Sequence, residues 1–517
     1  MKNGKGCKSS QPFVLGFGFL VLLLVGQPAA RGAVSFTNLI DFTFTNPPNF
    51  GWNADVAINW SGALVQGDDG NYYGTTQSGG IAEGYNPHGG GTLFRMTPDG
   101  GFTTLYAVPS LFNTNADAAY TGYFYSPLGY CPVGNLAKGT DGALFGTMNF
   151  GGPPAVFTDP SYAGYGAVFR LSSDGSVSPI YQFGNGLSLM TNITTQATNV
   201  YTVNYAGGQL QAGLVMGSDG NLYGTTISLG AWGNGTIFKL ATNGLLTRLH
   251  SFQPVDSMGY NADGSRPYGD MAEGGDGAFY GTTYLGGTNG CGILFKITQD
   301  GQFTGLHYFN NDEKYPSGKL ISGKNGGIYG TTQGGILYQI TTNGDYAVVY
   351  RFGAEGDCLG GVIQGRDGNF YGMSQGELGA VFQITTNGTL TVLHYFNGWD
   401  GAYPNGALVQ GSDGSFYGMT PYGGPDYTYG LTGYGTIFRL TLTPDAPVIQ
   451  AVTQTNGVIT FNWNATIGSG YRVQYNTDLT STNWLNLGGV ITATDTNVAG
   501  SDIMTNAQRF YRILAVP

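Results

Sequence analysis

Charge is scarce in this chain of 517 residues: only 10% are Asp, Glu, Lys or Arg. With 20 Lys and Arg against 31 Asp and Glu, the formal net charge is -11. Nucleic acid and anionic membrane surfaces are held by basic patches, so neither is an expected partner. Histidine and cysteine are nearly absent, at four residues each. Beyond residue 33 the thiols are Cys131, Cys291 and Cys358, whose spacing makes neither a disulfide framework nor a zinc site. The apolar run 13–25 is shorter than the roughly 20 residues of a membrane span, and no later segment approaches one, so membrane insertion is not expected.

Glycine is the abundant residue, with 90 copies, beside 35 Tyr and 30 Phe. So much glycine ordinarily signals low complexity, but here it occupies fixed places in a repeat. The clearest copy, residues 213–252, reads as four short strands at 214–216, 222–226, 236–240 and 246–252. Ser218-Asp219-Gly220-Asn221 and Thr242-Asn243-Gly244 turn the first strand into the second and the third into the fourth. Asp-Gly and Asn-Gly suit such turns because Gly and Asn tolerate positive φ.

The unit recurs seven times. Its second strand returns at Tyr73, Phe145, Tyr223, Tyr280, Tyr329, Tyr371 and Tyr417, and its third begins at Gly91, Gly166, Gly235, Gly292, Gly335, Gly379 and Gly435. From Tyr280 through Tyr417 the interval is 42 to 49 residues, the size of one four-stranded propeller blade. The small Gly-Thr-Thr core of the second strand is read as a place where neighbouring blades crowd together. The expected fold is all-β, a seven-bladed β-propeller over residues 34–443, with an open β-solenoid as the alternative. The seventh unit stops near residue 442 without a fourth strand, and residues 36–42 match the fourth-strand copies elsewhere. An N-terminal strand completing the last blade removes the open edges of the array.

Residues 1–33 read as a secretory signal: Lys2, Lys5 and Lys8, then an apolar run, then small residues from Ala29 to Ala33. From residue 444 the repeat is lost. Residues 458–463, 471–475 and 509–516 alternate as strands of a small β-sandwich over 444–517, with Trp463 and Tyr471 as core aromatics. That stretch resembles a fibronectin type III or related immunoglobulin-like module, which implies a spacer or adhesive accessory. The elements LVQGDDGNYYGTTQSGG at 64–80 and GTLFRMTPDG from Gly91 make the repeat resemble the GloVer (Gloeobacter–Verrucomicrobia) repeat of exported bacterial proteins. The resemblance implies a secreted or cell-surface location and brings no established activity.

The repeat explains several tempting residues. His250, His307 and His394 share the fourth-strand position held by Tyr106, Tyr181 and Tyr350 in other units, so they are structural equivalents rather than metal ligands. Arg95, Arg170 and Arg439 share a third-strand position with Lys239 and Lys296. Asp69, Asp141, Asp219, Asp276, Asp367 and Asp413 are read as turn residues. No catalytic residue, metal ligand or cofactor is assigned.

The non-repeating parts point to function. Loops joining strands one to two and three to four are short and uniform, and we call their side the turn face. Loops joining strands two to three, and one unit to the next, carry the insertions at 77–90, 109–132, 149–165, 184–211, 253–268 and 421–434; theirs is the insertion face. Long aromatic loops on a rigid scaffold are where recognition usually sits. The expected ligand-binding residues are Trp52, Tyr85, Tyr123, Tyr162, Tyr165, Trp232, Trp399, Tyr422, Tyr427 and Tyr429, concentrated in units seven, one and two. The leading expectation is a monomeric exported module that binds an extracellular polysaccharide or protein. One alternative is a carbohydrate hydrolase or lyase using two of Glu83, Asp117, Asp159, Asp400 and Asp426, since glycosidases need paired carboxylates; another is a structural surface-layer component. The bland reading of the same loops is that they merely cover the scaffold.

Overall fold

The computed structural model describes residues 34–42, 62–80, 90–108, 129–151, 165–184, 207–353, 356–427, 433–443, 447–465, 469–478, 480, 482–503 and 508–516, with the backbone course of 20–23, 111–113, 123–125, 187–193 and 198–204. Every regular element among the described residues is a β-strand. The repeats form antiparallel four-stranded sheets of one plan, in which the third unit runs Val215–Met216, Leu222–Thr226, Thr236–Leu240, Leu246–Ser251. Two of its expected strands match to the residue; the first and last are each one residue shorter.

The repeated residues follow from this register. Gly224 lies opposite Phe238, and a Cβ there would sit 2.6 Å from Phe238 Cζ and 2.8 Å from Leu214 Cδ2. Gly74 against Phe94 and Gly418 against Phe438 repeat the contact at 2.5 Å each. This corrects the crowding explanation: the glycine makes room for aromatic and aliphatic side chains of its own sheet, not for a neighbouring unit. The second Thr of the motif also has a partner. Buried hydroxyls of Thr226 and Thr236 lie 2.9 Å apart, and Thr76–Thr92 and Thr420–Thr436 repeat the pair. Such pairing satisfies groups that would be costly to bury alone.

The turn Asp does more than turn. Asp219 accepts bonds from the Asn221 backbone N–H at 3.1 Å and from the Tyr223 hydroxyl at 2.8 Å, and pairs with Lys239 Nζ at 2.7 Å. Partial burial opposes its ionisation, but the bonds from Lys239, Asn221 and Tyr223 outweigh that and hold the carboxyl well below the usual range. The arrangement recurs as Asp276–Tyr280–Lys296. In the fifth unit it becomes Asn325–Tyr329 with Gln339 on the third strand, so acid and cation are lost together.

Units meet through stacked rings. Tyr223 stacks on Phe279 at 3.7 Å, Tyr329 meets Phe370 at 4.6 Å and Tyr371 meets Phe416 at 4.1 Å. Tyr417 makes the same contact with Tyr72 at 4.1 Å, which joins the seventh unit to the first. A side-chain amide repeats the connection. Gln364 Oε1 accepts from Lys324 N, Gln410 Oε1 from Arg366 N, and Gln66 Oε1 from Ser412 N, at 2.7 to 2.9 Å.

The N-terminal strand Val34–Asp41 runs antiparallel to Thr436–Leu442, pairing Val34 with Leu442 and Asp41 with Thr436. Phe36 stacks on His394 at 3.7 Å, as Phe303 stacks on His250 and Tyr346 on His307. The strand therefore stands where a fourth strand stands in other units.

Beyond residue 447, Ile449–Thr455, Val458–Asn464 and Asn497–Ile503 form one sheet. Gly470–Asn476 and Gln508–Val516 form the other, with two short strands at its edge. Trp463 and Tyr471, expected in the core, are fully buried with Phe461 and Tyr511. Buried Asp502 ties the sheets by accepting from Arg509 and from the Tyr511 hydroxyl. Leu20–Leu23, within the expected leader, lies parallel to residues 508–511, where an apolar segment meets an otherwise unpaired sheet edge.

Candidate functional site

The loops between units are held by a repeated backbone latch. Cys131, Gln209, Arg266, Tyr315 and Tyr403 have φ between 52° and 57° or, for Tyr315, 61°, a left-handed conformation that costs a side-chain-bearing residue energy. Each uses its N–H to bond the carbonyl just before the glycine that opens a neighbouring third strand: Gly90, Tyr165, Asn234, Cys291 and Leu378 respectively. The following Pro404 packs so closely that a Cβ on Gly379 would lie 2.3 Å from its Cδ, which is why that strand begins with glycine.

The three His residues belong to the same scaffold. His250 Nε2 lies 2.8 Å from Asp263, His307 Nε2 lies 3.1 Å from Glu313, and His394 Nε2 lies 2.9 Å from Asp400. Each pair ties a fourth strand to the loop that follows it. No group of three His, Cys, Asp or Glu among the described residues is placed to hold a metal ion.

Of the expected ligand-binding residues, Trp52, Tyr85, Tyr162 and Tyr429 lie outside the described residues, as do Glu83, Asp117 and Asp159. Tyr123 is described only by its backbone, in a hairpin pairing Tyr123–Tyr125 with Leu111–Asn113. A second hairpin, Leu187–Ile193 with Thr198–Asn204, builds the 184–211 insertion, so two of the insertions are strand pairs rather than plain loops. Tyr165 is only 7% exposed and packs in a core cluster with Phe183 and Leu210, which corrects its assignment to a ligand-facing surface. Its backbone explains the burial, because its carbonyl is a latch acceptor.

Trp399, Tyr422 and Tyr427 are brought together. Gly424 N donates to Gly398 O at 2.9 Å and Ala402 N to Tyr422 O at 2.8 Å, zipping the loop before the seventh unit against the loop inside it. Tyr427 lies over Gly398, where a Cβ would come within 2.3 Å of its ring. Tyr403, a residue the sequence reading passed over, meets Tyr422 edge to face at 6.1 Å. Trp399 is 63% exposed beside this group. Trp232 is 60% exposed on the third unit, with no ring contact among the described residues. Asp400 is spent on the scaffold, accepting from Asn397 N and Asn397 Nδ2 besides its contact with His394. Asp426 is exposed on the neighbouring loop.

A second aromatic row went unnoticed in the sequence. Tyr284 stacks on Tyr315 at 4.9 Å, lies 5.7 Å from Tyr268, and donates its hydroxyl to Gln333 Oε1. Burial pushes the Tyr268 phenol up to about 12, so it stays a hydrogen-bond donor. The signal was present in the spacing, since Tyr315 and Tyr403 both precede a proline at the latch position. Tyr268 and Gln333 line a cavity of about 90 Å³ that also takes Ala63, Asn135, Gln211, Asp270, Lys319, Gly360 and Asn405, at least one residue from every unit. Burial raises the thiols of Cys131 and Cys358 to about 11 and about 12, which keeps them protonated and unreactive at neutral pH.

A family model described as the Gloeobacter/Verrucomicrobia repeat matches residues 189–336 and 330–477. No curated protein matches the chain. Among solved structures, the chain is similar to puromycin hydrolase at 12% identity and a TM-score of 0.43, over 83% of this chain and 62% of that one. It is similar to the extracellular domain of a hybrid two-component system from B. thetaiotaomicron at 12% identity and a TM-score of 0.29, over 86% and 77%. A Thermus thermophilus protein described as an oxidoreductase (glucose dehydrogenase) is similar at 12% identity and a TM-score of 0.35, over 79% and 100%.

Proposed function

The chain belongs to the Gloeobacter/Verrucomicrobia repeat family, and from that premise we propose an exported module that binds an extracellular polysaccharide or protein through its insertion face. In this reading its repeats close into a seven-bladed β-propeller, followed by a small β-sandwich that serves as a spacer. The contact between Tyr417 and Tyr72 and the N-terminal strand on Thr436–Leu442 support closure. The leader-like residues 1–33 and the exported character implied by the resemblance support the location. The net charge of -11 speaks against a nucleic-acid partner.

One observation carries the proposal: the aromatic platform of Trp399, Tyr403, Tyr422 and Tyr427, held by two zipped loops and a left-handed latch. Large rings with few rotatable bonds, carried on loops whose backbone is already held, lose little entropy on binding and offer flat apolar area with polar edges. A covering layer would bury its largest ring, whereas Trp399 presents most of its surface. Trp232, exposed on the third unit, belongs to the proposed face as well. The hydrolase reading gains nothing from Asp400, whose carboxylate is bonded to His394 and Asn397. A polysaccharide and glycan array probed with the wild-type protein and with Trp399→Ala, with turnover measured on every hit, tests the proposal. A bound polysaccharide lost on substitution supports it; hits that ignore the substitution overturn the platform, and turnover on a hit reverses the choice between binder and enzyme.

A further inference from the structure

We infer that the turn-face mouth of the axial cavity is a second binding site, for an oxyanion: the carboxylate or sulfate of an acidic sugar, or a free anion of that kind. The narrow axial cavity shares Ala63, Asn135 and Lys319 with a wider one of about 410 Å³, within the roughly 300–1,000 Å³ typical of small-molecule sites. Lys319, Lys324 and Arg366 line the wider cavity, with Ile363 and Val409 as its apolar wall. It opens beside the one–two turns, opposite the platform.

The charge pattern singles these cations out. Four basic side chains elsewhere on the turn face are neutralised: Lys138 by Asp68, Arg170 by Asp141, Lys239 by Asp219 and Lys296 by Asp276. Arg439 has no ion pair among the described residues but reaches the Pro98 carbonyl, away from this cavity. Among the described residues no carboxylate lies within ion-pair distance of Lys319, Lys324 or Arg366. The last two are positioned by neutral acceptors. Lys324 Nζ donates to Arg366 O at 2.7 Å, and the Arg366 guanidinium donates to Gly411 O at 2.8 Å and Ser412 O at 3.2 Å. Those bonds fix the head groups and leave their charge uncompensated, with further N–H donors free.

The nearby carboxylates are held by neutral donors rather than by these cations. Asp270 accepts from Asn135 Nδ2 and Gly213 N at the narrow end. Asp367 accepts from Asn369 and Tyr371, and Asp413 from Ser415 and Tyr417. Three cations without an ion-pair partner line one recess whose described lining holds no carboxylate, in a protein with few charges. An anion with an apolar body meets both the cations and the aliphatic wall.

Calorimetric titration of the full chain with D-galacturonate, inorganic sulfate and uncharged D-galactose tests the site, alongside Lys319→Met. Lys319 makes no side-chain hydrogen bond or ion pair among the described residues, so the variant is expected to melt with the wild type. Galacturonate or sulfate should bind and galactose should not, and Lys319→Met should weaken the anion by about tenfold or more. Binding of both anions means that a free oxyanion suffices; binding of galacturonate alone means a sugar-borne carboxylate; binding of sulfate alone means a free anion. Trp399→Ala should leave this affinity unchanged, which separates the site from the platform. No anion binding, equal binding of galactose, or an unchanged affinity in Lys319→Met overturns the inference.

Discussion

Deleting residues 34–42 strips the seventh unit of its fourth strand. The segment supplies an eight-residue strand along Thr436–Leu442, half-buried Phe36, which stacks on His394 at 3.7 Å and Phe438 at 5.1 Å, and Phe42, which is 3% exposed. Emptying a fully buried Phe site costs about 3–5 kcal/mol. Truncating Phe36, with part of its surface already wet, costs about 2 kcal/mol. Together with the ladder, these losses are a large part of the roughly 5–15 kcal/mol by which a folded protein is stable. The deletion also bares the edge of Thr436–Leu442 as a template for other chains. Thermal melting followed by circular dichroism, with light scattering on the same sample, reads both effects. Phe42→Ala should lower the melting temperature by about 5 °C or more, Phe36→Ala by less, and the deletion should aggregate or fail to melt cooperatively. A soluble, monomeric deletion variant with the wild-type melting temperature would falsify the closed ring.

The repeat residues carry further expectations for stability in denaturant. Tyr223→Phe should cost about 1 kcal/mol by orphaning the bond to Asp219, whereas Tyr223→Ala should cost about 3 kcal/mol or more by also emptying the stack on Phe279; equal losses would mean that the stack contributes nothing. The Asp219 carboxyl is held below its ordinary value in the folded chain. Its contribution is therefore complete above the unfolded value of about 3.9 and shrinks as pH falls towards the folded one. Asp219→Asn should thus cost about 1 kcal/mol at pH 7 after solvent screening, with the gap to wild type closing below pH of about 4; a gap that persists or widens in acid would contradict the pairing with Lys239. Gly224→Ala should destabilise by about 1–3 kcal/mol, since the new methyl would sit 2.6 Å from Phe238 Cζ; a neutral result would show that the aromatic can step aside.

How much of this was readable beforehand depends on whether a residue answers to its neighbours in sequence or in space. The strands 222–226 and 236–240 were readable because Asp-Gly and Asn-Gly turns bracket short apolar runs, and because seven copies average out local ambiguity. The closing strand was readable because Phe36 occupies the place of Phe303 and Tyr346 in the repeat. The reason for the motif glycine was not, since only the register that sets Gly224 against Phe238 shows which ring it accommodates. The pairing of turn Asp with third-strand Lys or Arg was only half legible: the fifth unit replaces both members, with Asn325 and Gln339, but the sixth keeps Asp367 beside Gln383. At the site, aromatic richness pointed to the right kind of loop but not to burial. Tyr165 sits in a Tyr-rich insertion and faces inward, whereas Tyr403 and Tyr315 lie in short loops and gain their place from a left-handed backbone that composition does not report.

The most direct measurement is the affinity of the wild-type protein and of Trp399→Ala for the strongest polysaccharide hit of the array, with both melting temperatures recorded. Removing an exposed ring that makes no core contact should change stability by no more than about 0.5 kcal/mol. Loss of a stacking anchor costs about 1–3 kcal/mol of binding, a factor of about five to more than a hundred in Kd. An unaltered melting temperature with a Kd weakened in that range is the result the binding reading requires. Equal affinity in the two proteins, at equal stability, would leave the platform as mere cover and contradict it.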